Sequence, residues 1–126
     1  MWKFSAMSEE RLKGVHPDLV KVVRLALDYS EIDFAVLEGV RTRARQEQLV
    51  FAGASRTMNS RHLTGHAIDL GAIVDGQIRW DWPLYRKIAE AMKLAAGELD
   101  IPVEWGGDWR TFKDGPHFQL SAKVYP

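Results

Sequence analysis

The sequence predicts an α+β domain in which a small antiparallel sheet packs with helices. Three observations carry this. Apolar residues recur at helical spacing in "PDLVKVVRLALDY" and again in "PLYRKIAEAMKLAAGEL". The dipeptide "DG" at 75–76 sits between "AIDLGAIV" and "QIRW", the strongest short-range hairpin signal. The elements run helices, strand, helix, hairpin, helix, strands, within a length of 126 residues that suits one domain.

Each element has a local reason. Residues 8–14 read as a short helix with Ser8 as N-cap and two acids in its first turn. In the next segment Pro17 suits the first helical position, and Leu19, Val22, Val23, Ala26 and Leu27 form one apolar stripe. "DFAVLEG" (33–39) is a strand. "RTRARQEQLVFAG" (41–53) is a helix capped by Thr42 and stopped by Gly53. Residues 54–66, rich in Ser, Thr, Asn and Gly, form a loop. The hairpin follows. Residues 83–99 form a helix whose buried face is marked by Leu84, Ile88, Ala91, Ala95 and Leu99. "PVEW" and "HFQL" are short strands around the loop 106–116. The chain carries no internal repeat, low-complexity tract or linker.

Composition narrows the function classes. Lys plus Arg equals Asp plus Glu at 17 each, so no overall field draws the chain to nucleic acid or an anionic membrane. Arg41, Arg43 and Arg45 therefore read as a solvated face and not as a nucleic-acid stripe. Cysteine is absent, which excludes disulfides and thiolate metal sites; a zinc site would need histidine and carboxylate. "MWKFSAMSEERL" has no signal-peptide core, and no stretch approaches the roughly 20 apolar residues of a membrane span. A chain made in the cytoplasm, without an export signal or membrane anchor, is the expectation.

The densest chemistry is "SRHLTGHAID" (60–69), with His62, His66 and Asp69. Two histidines four apart would share a helix face, but Thr64 and Gly65 are poor helix formers and the glutamate of H-E-x-x-H is missing. A loop-to-strand site is the alternative: His62 on the loop, Asp69 on a strand whose faces alternate as Ala67/Asp69 and Ile68/Leu70. An acid between Ile68 and Leu70 needs pairing or a metal, because a buried carboxylate is costly. A catalytic zinc usually takes three protein ligands, and only His16 and His117 remain for the third. His117 follows Asp114 in "DGPHF", which places a carboxylate beside a candidate ligand. Zinc lowers the pKa of bound water to about 7, and such a carboxylate completes a metal-hydrolase set. Taken singly, each of these residues also has an ordinary explanation as a loop polar group, a strand-edge acid or a partly buried histidine.

The motifs resemble those of a known family. "SRHLTGHAID" fits S-x-H-x-x-G-x-A-x-D at Ser60, His62, Gly65, Ala67 and Asp69, and "WGGDW" (105–109) with "DGPHF" (114–118) fits its C-terminal motif. "EGVRTRARQEQLVFAGAS" (38–55) is similar to its upstream segment, G-x-R-[ST] with a glutamine and a later glycine. These belong to the VanY-like zinc peptidases, related to D-Ala-D-Ala carboxypeptidases, and the chain is most similar to L-alanyl-D-glutamate endopeptidases, bacteriophage endolysins among them. The resemblance covers about residues 8–120.

The resemblance implies a hedgehog/D,D-peptidase-like zinc fold with one peptidase domain over residues 1–126 and no separate wall-binding domain. It implies that His62, Asp69 and His117 ligate Zn2+ and that Asp114 is the general base, where dipeptidase relatives carry glutamate. Arg41 matches an arginine that holds substrate or polarises its carbonyl, and Ser60 a substrate-contacting residue beside the metal. His66 falls on an unconstrained position and reads as a pocket-edge or surface histidine; His16 helps start a helix. Trp105 and Trp109 read as cleft walls or as core, and Asp108 as a support to a ligand or a turn residue. The implied function is hydrolysis of the L-alanyl-D-glutamate bond in peptidoglycan stems by a monomer that reaches the periplasm from the host cytoplasm by holin-type release. The alternatives are a D,D-carboxypeptidase and, as in the hedgehog signalling domain, a non-catalytic zinc-stabilised binding module; the retained Asp114 argues against the latter.

Overall fold

The structure, a computed structural model, describes residues 2–126. Among them are helices α1 (Ala6–Leu12), α2 (Pro17–Tyr29), α3 (Arg43–Phe51) and α4 (Trp82–Leu99). The strands are β1 (Asp33–Glu38), β2 (Ala67–Val74), β3 (Gln77–Arg79), β4 (Val103–Trp105) and β5 (His117–Leu120), with 3₁₀ turns at Arg61–Thr64 and Gly106–Asp108. This is the expected α+β architecture. The strands form one antiparallel sheet in the order β1-β2-β5-β4, with β3 paired to the end of β2 beyond β5.

Most elements follow their local signals. His16 caps α2, its Nδ1 accepting from the Asp18 amide at 3.1 Å, and Pro17 opens the helix. All five stripe residues of α2 are buried. The Thr42 hydroxyl accepts from the Arg45 amide at 3.1 Å and starts α3. The hairpin turns on Asp75 and Gly76 with φ of 51° and 77°, the paired positive values of a type I′ turn.

Three details depart from expectation. Ser5, not Ser8, caps α1, which begins at Ala6; the Ser5 Oγ accepts from the Ser8 amide at 3.1 Å. Ser8 lies inside the helix and is buried, because its own hydroxyl accepts from the Val36 amide at 3.0 Å and ties α1 to β1. The loop 54–66 contains a 3₁₀ turn, capped by Ser60. In α4 the buried face runs through Tyr85, Ile88, Ala89, Met92, Ala95 and Ala96, with Ala91 at its margin, while Leu84 is half-buried and Leu99 is 37% exposed. The stripe lies one position later than expected at its start, and Leu99 is the final residue before Asp100 turns left-handed at φ 57°.

The sheet separates apolar from polar chemistry. On one face Phe34, Val36, Ile68, Leu70, Phe118 and Leu120 are buried and join α2 and α4 in a single core. The other face carries Asp69, His117 and Gln119. Register puts Asp69 opposite His117 on β5 and opposite Glu38 on β1. The second pairing depends on a bulge between Val36 and Glu38, where Leu37 is the extra residue. Without it, Glu38 would fall on the same face as Phe34 and Val36.

Replacing Ser8 by Ala leaves the buried Val36 amide without its acceptor and should cost about 1–3 kcal/mol. Ser5→Ala, which removes an exposed cap, should cost about 1 kcal/mol or less. Urea unfolding of the two variants at unchanged m-value checks the order.

Candidate metal centre

Asp69 enters the centre from β2, His117 from the first position of β5 and His62 from the 3₁₀ turn before β2. One ligand atom from each lies within 4.8 Å of the other two. The Asp69 Oδ1 is 3.2 Å from His62 Nε2 and 3.3 Å from His117 Nδ1. Ligands held at about 2.0–2.2 Å around a tetrahedral zinc stand roughly 3.3–3.5 Å apart, so these two edges already have the required length. Two imidazoles and a carboxylate, all inward-facing, fit a zinc ion as a donor set.

The far side of each ring is also engaged. His62 Nδ1 donates to the Gly39 carbonyl at 2.9 Å; a carbonyl only accepts, so Nδ1 carries a proton and Nε2 is the nitrogen turned toward Asp69. His117 Nε2 donates to Gln119 Oε1 at 2.8 Å, which leaves Nδ1 facing Asp69. Such outer hydrogen bonds fix the ring tautomer and orientation of metal-binding histidines. His62 is 2% exposed, so it has no solvent-facing alternative.

The loop carrying His62 is clamped at both ends. Ser60 Oγ accepts from the His62 amide at 3.2 Å, and the Arg41 amide donates to the His62 carbonyl at 3.0 Å. Gly65 has φ 77°, and a Cβ there would stand 2.6 Å from the Gly14 carbonyl oxygen, so both its conformation and its surroundings demand glycine. On the opposite side Gly106 lets residues 114–117 approach: a Cβ would collide with the Asp114 carbonyl and stand 3.1 Å from the His117 Cβ. Trp105 Nε1 donates to the Gly115 carbonyl at 2.7 Å, joining "WGGDW" to "DGPHF".

Asp114 lines the same groove as His62, Asp69 and His117. Burial, then the neighbouring charge of Asp69, pushes its carboxyl above the ordinary range. For Asp69 burial acts upward, but hydrogen bonds from His117 and His62 outweigh it and hold the carboxyl well below its usual value. For His117 burial acts downward, yet the Asp69 hydrogen bond and charge raise its pKa above the ordinary imidazole value. The Asp69–His117 contact thus favours an imidazolium–carboxylate pair.

Arg41 stands beside this pair. Its guanidinium pairs with Glu38, donates to Gln46 Oε1 at 2.8 Å and Ser60 Oγ at 3.5 Å, and lies 3.8 Å from Asp69 Oδ2. Gln46 is fully buried and donates onward to Ser55 Oγ and the Thr57 carbonyl, at 2.8 and 2.6 Å. Arg43 and Arg45 are exposed. Trp105 belongs to the core, whereas Trp109 lines the groove with its ring 5.1 Å from that of His117. Asp108 is exposed and pairs with Lys93 at 2.7 Å. His66 does not line the groove; its ring lies 5.5 Å from that of His16, and its Nδ1 bonds Thr64 Oγ1 at 2.7 Å.

Sequence reasoning left Glu38, Gly39 and Gln119 without roles. Gln119 had a readable signal, since it shares a strand face with His117 two positions away. The Glu38 pairing had none, because it arises from the bulge.

A family model for phage L-alanyl-D-glutamate peptidases matches residues 1–121. The chain is 37% identical over 128 aligned residues to the L-alanyl-D-glutamate peptidase of Escherichia phage T5, covering 98% of this chain and 93% of that one. It is 40% identical over 105 residues to the enzyme of the same name from Listeria phage A118, covering 81% of this chain but 36% of that longer protein. The solved structure of the Serratia marcescens L-Ala D-Glu endopeptidase ChiX superimposes with a TM-score of 0.94 at 56% identity, covering 100% of this chain and 94% of that one. The vancomycin-resistance D,D-dipeptidase VanXYg shares the fold, with a TM-score of 0.56 at 20% identity over 84% of this chain and 50% of that one.

Two measurements test the centre. A zinc ion must displace the proton held on His117, so affinity should fall as pH drops through the raised His117 pKa and level off above it. Calorimetric zinc titrations in buffers of different ionisation enthalpy should show proton release on the acid side. Gln119→Ala removes the acceptor that orients His117 and should weaken zinc binding about 10–100-fold, read by competition with a chelating dye.

Proposed function

The chain belongs to the phage L-alanyl-D-glutamate peptidase family, and on that premise we propose that it is a zinc peptidase that cuts the L-alanyl-D-glutamate bond of peptidoglycan stems. His62, Asp69 and His117 hold the metal, and Asp114 is the general base. The observation that carries this reading is that three candidate ligand atoms within 4.8 Å of one another and an otherwise uncommitted carboxylate share one groove.

Zinc, when bound, supplies a Lewis acid and brings the pKa of a coordinated water to about 7. Asp114 accepts the proton of the attacking water on its carboxylate. Its upward-shifted pKa makes it a stronger base than an exposed aspartate. It then returns the proton to the amine of D-glutamate as the peptide C–N bond breaks. Arg41, anchored by Glu38 and Gln46, keeps Asp69 Oδ2 from turning away and presents positive charge to the substrate carbonyl. Ser60 fixes the His62 turn through its hydroxyl and lines the substrate groove.

The proposed setting is host lysis by a monomer, with the peptidase released from the cytoplasm through a holin. The phage relatives support this setting. Among the described residues, no helix is long and apolar enough to cross a membrane.

Mass analysis of digested peptidoglycan should find stems released with a new amino-terminal D-glutamate, and a chelator should abolish the release. Loss of terminal D-alanine alone would identify a D,D-carboxypeptidase, and stoichiometric zinc without turnover would identify a binding module. Asp114→Ala should lower kcat about 10²–10⁴-fold while zinc stoichiometry is unchanged. Wild-type turnover by this variant would remove Asp114 from the mechanism.

A further inference from the structure

The groove that holds His62, Asp69 and His117 has a volume of about 560 Å³ and four cations in its lining: Arg41, Arg56, Arg61 and Lys113. Two are committed. Arg41 is engaged by Glu38, Gln46 and Asp69. Arg61 donates to the Leu120 and Tyr125 carbonyls at 3.1 and 2.6 Å. Arg56 and Lys113 differ, for neither pairs with a carboxylate among the described residues.

These two cations come from different loops, Arg56 from 54–60 and Lys113 from 106–116, so they reach the groove from separate segments. Their placement is specific. The Arg56 guanidinium carbon lies 3.8 Å from the centroid of the Phe112 ring. A guanidinium stacked by its face keeps its N–H edge available for a planar anion. Phe112 is 64% exposed and adopts φ 52°, a costly conformation for a bulky residue. The strained backbone therefore spends an exposed aromatic on seating an arginine at the groove. Lys113, the next residue, makes only one hydrogen bond, to the Gly107 carbonyl at 3.3 Å.

The substrate supplies the matching anion. A D-glutamate residue has one amine and two carboxyl groups. In the scissile bond its amine is acylated by L-alanine, and one carboxyl continues the stem. The other is free and ionised at neutral pH, within the same residue that provides the leaving amine. We propose that Arg56 and Lys113 form a subsite that reads this free carboxylate, with Arg56 as its bidentate donor and Phe112 as the seat of Arg56. The inference rests on the proposed cleavage of L-alanyl-D-glutamate and names how the residue after the bond is recognised. Both side chains are exposed, so their removal leaves the core and the metal ligands intact.

The test compares two synthetic stem peptides, one with the D-glutamate carboxyl free and one with it amidated, cut by zinc-loaded wild type, Arg56→Ala and Lys113→Ala. Wild type should prefer the free acid. Arg56→Ala should lower kcat/KM on the acid roughly 10- to 100-fold, chiefly through KM, and change the amide little. Lys113→Ala should act in the same direction to a smaller extent. Equal losses on both peptides, a fall in kcat alone, or a wild type indifferent to amidation while cutting both would overturn the subsite and leave the peptidase reading standing. Failure of wild type to cut either peptide would overturn that reading, and the subsite with it.

Discussion

The organisation of the site depends on the position of the Asp69 carboxylate within the sheet. It occupies one cross-strand row with Glu38 and His117. Side chains alternate along a strand, so a one-residue slip in either pairing would send Glu38 or His117 to the face opposite Asp69. Burial of Ile68, Leu70, Phe118 and Leu120 enforces the register between β2 and β5 from the core side. The same hydrophobic contacts that hold the fold together thus position Asp69 and His117, without either residue contributing to the apolar core.

That placement has a cost, which the surrounding groups offset. A carboxylate withdrawn from water is unfavourable unless paired. Here two imidazoles approach the same oxygen, and Arg41 stands near the other. Asp69 is thus paired on both of its oxygens. Gly39 and Gln119 keep the rings turned toward Asp69.

Much of this was legible in sequence because its causes are local. Period and turn chemistry place α2, α3 and the Asp75–Gly76 hairpin, and the family motif that "SRHLTGHAID" resembles separates His62 from His66. What sequence did not disclose depends on contacts between distant segments. Ser8 looks like a cap, but its hydroxyl is taken by Val36, 28 positions away. Leu99 continues a helical stripe in sequence yet ends the helix at its surface. The motif gives Arg41 a substrate contact, while its network through Glu38 and Gln46 becomes visible only once the bulge at Leu37 turns Glu38 toward Asp69. The two tryptophans divide between both readings: Trp105 is core and Trp109 is wall.

A division of labour between strands and loops explains how so small a domain supports a demanding centre. Asp69 and His117 stand on paired strands, whose spacing is set by backbone hydrogen bonds, and His62 stands on a turn fixed at Ser60 and Gly65. Catalytic geometry tolerates little displacement, so rigid elements suit it. The groove walls come instead from the loops 54–60 and 106–116, where Arg56, Trp109 and Phe112 are free of the core. Loops accept substitution without disturbing packing. Changes there can alter which stem peptide is bound while leaving the metal centre intact, whereas changes on β2 or β5 alter both. A net charge of zero is compatible with this arrangement, because the positive charge that an acidic stem requires is supplied locally by side chains released from internal pairing.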